Sequence, residues 1–149
     1  MVLWRISNHV SLAGDAGMRA SGRWHTRGRR IVYCAESPAA ALLKTLAHLE
    51  LDLDSLPRRY RRLKLAVPDD MPVERLGTTA LAADWVERAD VTRALGDAWL
   101  RRGNSPLLSV PSALVPETFN VLLNPAQPGA SRVVVVSVGE HTVDARLRR

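Results

Sequence analysis

Hydrophobic and polar positions along this chain change their spacing several times, and each change marks an expected element. Val2 to Ile6 is a short apolar run carrying Arg5, suited to an edge strand. Ser7 to Arg30 mixes glycine, polar and basic residues with no period, which reads as a long loop or as broken short elements. Ile31 to Ala35, "IVYCA", is rich in β-formers and is expected as a buried strand. Ser37 followed by Pro38 then supplies an N-cap with proline at the first helical position. Ala39, Leu42, Leu43, Leu46 and Leu49 recur at helical spacing, so this helix is expected to bury that face. Lys44 and His48 point the other way, beside Ala40 and Ala41, whose small side chains allow another group to approach closely.

Further along, "YRRLKLAV" alternates, with Leu63, Leu65 and Val67 on one face and Arg62 and Lys64 on the other, as in a half-buried strand. "ADVTRALGDAWLRRG" is expected as a helix started by Asp90 and stopped near Gly103, with Val91, Ala94, Leu95, Ala98 and Trp99 inward. "PLLSVPS" and "VVVVSV" read as two more strands, the second apolar on both faces and therefore central. A short element lies between Pro116 and Pro125. No repeat, low-complexity tract or linker interrupts the pattern. The expectation is one α/β (α+β) domain over residues 1–149, a mixed sheet with flanking helices.

Composition narrows the class. The 149 residues are 46% hydrophobic and 24% charged, ordinary for a globular protein large enough to bury one core. No apolar run is long enough to span a bilayer, and the N-terminus lacks a signal-peptide pattern, so cytoplasmic residence and no membrane partner are the expectation. Cys34 is the only cysteine, which rules out an internal disulfide, and its apolar strand suits a buried, inert thiol. The four histidines are scattered without ligand spacing, so no metal is expected.

Charge adds more. The net charge is +6, and of 21 basic residues only Lys44 and Lys64 are lysine. Six arginines fall within the first 34 residues against one acid, Asp15. Guanidinium forks match phosphate and carboxylate, so such a cluster suits an anionic ligand. An arginine-favouring genome explains the excess more readily than its concentration at one end. Neither common phosphate loop is present, and there is no nucleophile elbow.

What remains is a set of polar residues at the borders of apolar elements: Arg5, Arg23, Tyr33, Ser112, Asn120 and Asn124. Each has an ordinary explanation when taken singly. Arg23 can stack on Trp24, Tyr33 can be a rim tyrosine, and Ser112 and Asn124 can shape turns beside prolines. On composition and pattern alone, the chain is an arginine-rich α/β domain suited to binding an anion.

The order of the segments goes further. An early Arg-Ile, then "GRW", "VYCAESPAAALLKTLAHL", "VPS" and "NVLLNP" together resemble the RES-domain toxins of bacterial type II toxin–antitoxin systems. The resemblance runs from Arg5 to about Pro128. It implies a small relative of the ADP-ribosyltransferase fold that takes NAD as a substrate and breaks its nicotinamide–ribose bond. By the same resemblance, Arg5 and Arg23 bind the diphosphate or nearby ribose, Tyr33 stacks on or hydrogen-bonds to the nicotinamide ribose, Ser112 orients ribose or nicotinamide, and Asn124 shapes the loop closing the cleft. Arg23, Tyr33, Lys44 and Ser112 are thus the catalytic candidates. The family pattern has a glutamate where this chain has Lys44, and a lysine has the wrong sign beside a developing ribosyl cation.

Three accounts of Lys44 follow. It aims at the diphosphate while Glu36, Glu50 or Glu117 serves the ribose; or it suppresses free hydrolysis in favour of ADP-ribosyl transfer to a host protein; or the toxin is weakened. The second is adopted as the working expectation, with an NAD glycohydrolase or phosphorylase as the alternative. A solvated lysine on an outer helix face is the plain structural reading. The resemblance also implies a cognate antitoxin, carrying a helix-turn-helix region and blocking the cleft, with no direct nucleic-acid contact by this chain. The rival class is a basic nucleic-acid-binding protein or RNase toxin, resting on "RRYRR" at Arg58 to Arg62 and "RRGN" at Arg101 to Asn104, against an aromatic content of only 5%.

Overall fold

Strand β1, Val2–Ile6, lies inside the sheet, not at its edge. In the computed structural model, which describes residues 1–48 and 59–148, it is flanked by β2 (Val32–Ala35) and β3 (Arg59–Ala66). The remaining strands are β4 (Val73–Arg75), β5 (Leu107–Pro111), β6 (Phe119–Leu123) and β7 (Val134–Thr142), in the order β4-β5-β6-β2-β1-β3-β7. Every described pairing is antiparallel except β4 with β5, so the sheet is mixed. Among the described residues three α-helices accompany it: α1 (Ala16–Arg19), α2 (Pro38–His48) and α3 (Ala89–Arg102). A single α/β domain with a mixed seven-stranded sheet and flanking helices is the expected fold class.

Both faces of the central strands are buried. Leu3, Val32, Cys34, Leu63, Leu65 and Leu123 form one apolar layer. Trp24, Ile31, Trp99, Leu108, Val110 and Leu122 form a second on the opposite face. Successive side chains of β6 therefore feed different layers, Val121 and Leu123 one and Leu122 the other.

Several expected orientations are corrected. "VVVVSV" is not central: β7 pairs only with β3 among the described residues, and Val134, Val136 and Val138 are about half exposed. An apolar pattern on both faces states what a strand could bury, not where the topology puts it. In α3 the buried positions are Thr92, Gly96, Asp97 and Trp99, while Leu95 is exposed. In α2 the buried residue is Ala41 and Leu43 is exposed, so the leucine stripe does not set the helix's rotation; Leu49 lies outside the described residues. The caps do behave as expected. The Ser37 hydroxyl accepts from the Ala40 amide at 3.0 Å, and Gly103 ends α3 in the left-handed region at φ 62°.

The polar face of α3 has a definite partner. It grips the backbone of the segment before β2, the stretch without a period. Arg93 Nε donates to the Gly22 carbonyl at 2.8 Å, and the Thr92 hydroxyl donates to the Arg23 carbonyl at 2.6 Å. Asp97 accepts from the Thr26 amide at 2.9 Å and from its hydroxyl at 2.6 Å, and pairs with Arg29. Thr92, Arg93, Gly96 and Asp97 are neighbours on one face at helical spacing. Gly96 lies so close to the loop that an added Cβ would stand 1.6 Å from the Trp24 carbonyl oxygen. Only a hydrogen fits.

Gly96→Ala is therefore expected to destabilise the fold by about 1–3 kcal/mol, the usual cost of overpacking. Urea titration of the variant checks this, with a midpoint equal to wild type contradicting the close approach.

Candidate active site

The β1–β2 ladder contains one residue pair, Trp4 with Ala35, and opens beyond it. Arg5 spans the opening: its Nη1 donates to the Tyr33 carbonyl at 3.1 Å, while its Nε is buried with no partner. A cleft of about 730 Å³ starts here, within the range of small-molecule sites. Its walls come from β1, β2, α2, α3, the segment 16–25 and the turn after β5.

Tyr33 stands at the centre, and its hydroxyl is already committed. It accepts from the Trp24 amide at 3.0 Å and lies 2.8 Å from His25 Nδ1. The other imidazole nitrogen, Nε2, lies 2.8 Å from the Ala20 carbonyl oxygen, which can only accept. In the neutral tautomer that this contact selects, Nε2 carries the proton and Tyr33 donates its own to Nδ1. Every member of this chain is satisfied, so the phenol works as a strut between β2 and the loop. Burial pushes its ionisation well above the ordinary tyrosine range. Gly22 is required beside it, because a Cβ there would come within 2.5 Å of the hydroxyl oxygen.

Lys44 comes off α2 with its Nζ 4.8 Å from the Tyr33 ring centroid, over the aromatic face. Burial lowers its pKa from 10.5 to about 8; Cys34 opposes that shift and the Arg5 charge adds to it. It is no solvated outer-face lysine. Ser112 lies on the opposite side, its hydroxyl oxygen accepting from the Leu114 and Val115 amides at 3.1 and 3.2 Å. That leaves its proton to donate into the cleft.

Arg5, Arg23, Tyr33, Lys44 and Ser112 all line this one cleft. Asn124 does not. It is buried behind β6, where its amide donates to the Leu100 carbonyl and its side-chain oxygen accepts from the Ala126 amide, so it fixes the turn after the strand. Asn120, four residues earlier and within β6, is the asparagine that lines the cleft. Arg93 and His25 also line it. Sequence reading missed both. Arg93 sits 70 positions from Arg23 on a helix whose inward face looked apolar, and His25 differs from other scattered histidines only by its contacts. A lone signal was present in the "GRWH" run, which places His25 two residues from Arg23.

The charge in the cleft is one-sided. No aspartate or glutamate is among its described lining residues; Glu36 and Glu117 lie outside it, and Glu50 is outside the described residues. Several arginines elsewhere meet acids: Arg29 with Asp97, Arg88 with Asp90, Arg102 with Glu74, Arg132 with Asp70 and Arg146 with Asp144. Arg59 and Arg61 of the "RRYRR" run face Glu140, and Arg62 covers the Trp4 ring at 5.3 Å. Those basic residues are occupied by neighbours within the fold.

The sheet of this α/β domain thus opens into a cleft whose charged lining, among the described residues, is entirely cationic. Comparison with known proteins supplies the family. Residues 2–147 match the RES domain. The chain is 42% identical to a protein named Toxin Res from Pseudomonas putida over 99% of both chains. It is 32% identical to a Prs ADP-ribosylating toxin from Sphingobium sp., covering 98% of this chain and 96% of that one. In structure it resembles the M. tuberculosis MbcT–MbcA toxin–antitoxin complex, with a TM-score of 0.75 at 18% identity over 95% of this chain and 84% of that one. The chain belongs to the RES domain family, the toxin family that its motifs resemble.

Two pH dependences follow. The native state binds the Lys44 proton more weakly than the unfolded chain does, so stability rises with pH between about 8 and 10.5. Wild type compared with Lys44→Met across that window should gain roughly 3 kcal/mol, at about 1.4 kcal/mol for each pH unit crossed; a flat difference contradicts the buried ammonium. Asp97 behaves in the opposite sense. Burial raises its pKa, but hydrogen bonds from Thr26 and the Arg29 charge outweigh this and leave it below the usual aspartate value. Its contribution is present above about pH 4 and is lost as pH falls through the depressed native pKa. Asp97→Asn should lower stability at neutral pH and flatten that acid limb, as read by urea titration from about pH 6 to about pH 2.5.

Proposed function

We propose that this chain is the toxin of a toxin–antitoxin pair that takes NAD into the cleft, breaks the nicotinamide–ribose bond and passes ADP-ribose to a protein acceptor. The observation carrying this reading is the acid-free cleft: three arginines and Lys44 share one cavity with Tyr33 and Ser112, and among the described residues no carboxylate neutralises them. Burying cations without partners is costly, and an anionic ligand relieves that cost. The diphosphate of NAD offers two charges to guanidinium forks. The relative named as an ADP-ribosylating toxin supports the same class of chemistry.

Lys44 decides between hydrolysis and transfer. When charged, about 4 Å from a ribosyl carbon gaining positive charge, it opposes the transition state by about 4 kcal/mol at an effective dielectric near 20. That corresponds to nearly a thousandfold in rate. With a pKa of about 8, a sizeable fraction of the amine is neutral just above physiological pH. The neutral form removes the repulsion and can take the proton from an attacking hydroxyl or amine. In the step proposed, the ribosyl C1′–nitrogen bond breaks, nicotinamide leaves as a neutral base, the acceptor atom bonds to C1′, and its proton passes to Lys44. Ser112 donates to a ribose or nicotinamide oxygen, Arg23 holds the diphosphate, and Arg5 holds the ribose next to it.

A cognate antitoxin fits the same surface. A helix-turn-helix protein ending in an acidic or carboxylate-bearing segment would meet the cations of the cleft and exclude NAD. The structural neighbour, itself a toxin–antitoxin complex, supports such a partner.

The test measures NAD loss by purified protein from about pH 6.5 to about pH 9, with and without cell lysate, following label on proteins. Labelled protein with lysate is expected, with a rate rising through about pH 8. Lys44→Ala should lose that inflection, and Lys44→Glu should increase lysate-independent NAD loss. Fast lysate-independent NAD loss by wild type, with no labelled protein, would rule out transfer and favour a glycohydrolase or phosphorylase.

A further inference from the structure

The cleft arginines are held differently from the acid-paired arginines described above. Each is tethered by a backbone carbonyl: Arg5 to Tyr33, Arg23 to Val86 at 2.7 Å, and Arg93 to Gly22 at 2.8 Å. A carboxylate partner would fix a guanidinium and cancel its charge. A carbonyl fixes it and leaves the charge in place. Arg93 uses its Nε in this bond, so the orientation of the planar group is set, and no described residue bonds either terminal nitrogen. Arg23 spends one terminal nitrogen on the Val86 carbonyl and keeps its other donors. The charges of Arg23 and Arg93 both act on the Tyr33 phenol, so the two groups converge on one part of the cleft.

Resting on the reading of the cleft as an NAD site, we infer that Arg93 is a substrate-binding residue, forming with Arg23 a two-arginine clamp for the diphosphate. The clamp belongs to the wall made by α3 and the loop before β2. Arg5 and Lys44, on the opposite wall where β1 opens from β2, then face the ribosyl end. The assignment gives the cleft a direction. It also makes the two arginines mutually dependent, because Arg93 holds the carbonyl of Gly22, the residue immediately before Arg23.

Calorimetric binding of ADP-ribose, with adenosine and nicotinamide as phosphate-free probes, tests this on wild type, Arg93→Gln and Arg93→Lys. Glutamine keeps an amide that can donate to the Gly22 carbonyl and removes the charge; lysine keeps the charge and removes the fork. The expected result is a roughly ten- to hundredfold weaker affinity for ADP-ribose in Arg93→Gln, with a smaller salt dependence and unchanged binding of the phosphate-free probes. Arg93→Lys should keep the salt dependence with intermediate affinity. Wild-type affinity for ADP-ribose in Arg93→Gln overturns the clamp and leaves the NAD reading intact. Equal loss of all three ligands in both variants also overturns it, reducing Arg93 to a loop tether. Failure of wild type itself to bind ADP-ribose removes the NAD reading and the clamp together.

Discussion

The site depends on one contact, the polar face of α3 against the backbone of the loop before β2. Thr92, Arg93 and Asp97 supply hydrogen bonds to that loop, and Gly96 supplies the space for it. Without them residues 21–26 have no regular structure to hold them, and this stretch carries Arg23, Trp24 and His25. Buried backbone groups must find partners, and here a helix face provides them in place of a strand ladder. The consequence reaches Tyr33, whose hydroxyl is bonded to Trp24 and His25 of the same loop. One helix therefore positions a loop, the loop positions an aromatic ring, and the ring receives the Lys44 ammonium.

That hierarchy explains how a cleft with so much positive charge can exist in the folded protein. Clustered cations repel one another and lose hydration when buried. The depressed pKa of Lys44 and the unpartnered Nε of Arg5 are signs of this cost. The two apolar layers on either side of the sheet, together with the α3 contact, supply the stability that lets the cost stand. Strain of this kind is characteristic of sites organised for a ligand that brings the missing charge.

Local signals in the sequence are reliable where short-range physics decides them. Ser37-Pro38 starts a helix because its capping bond and fixed φ are internal to four residues. Leu63, Leu65 and Val67 face one way because strand geometry alternates. Orientation is another matter. The leucines of α2 suggest a buried face, yet Ala41 is buried and Leu43 exposed, because α2 packs where the cleft needs small residues. In α3 the apolar positions mislead, because its partner is backbone and the matching side chains are Thr, Arg, Gly and Asp. The valines of β7 read as central and lie at an edge.

The order of the early Arg-Ile, "GRW", "VYCAESPAAALLKTLAHL", "VPS" and "NVLLNP" segments is enough to identify the family, even with Lys44 where the family pattern has a glutamate. Composition likewise establishes an excess of guanidinium over carboxylate. Which arginines keep their charge is decided only in three dimensions. Whether an arginine meets an aspartate or a carbonyl depends on chain segments as far away as 71 positions, and no local propensity encodes that meeting. Asn120 and Asn124 make the same point in miniature: two asparagines close in sequence, one lining the cleft from within β6 and one buried just past the strand's end, where it bonds the Leu100 carbonyl.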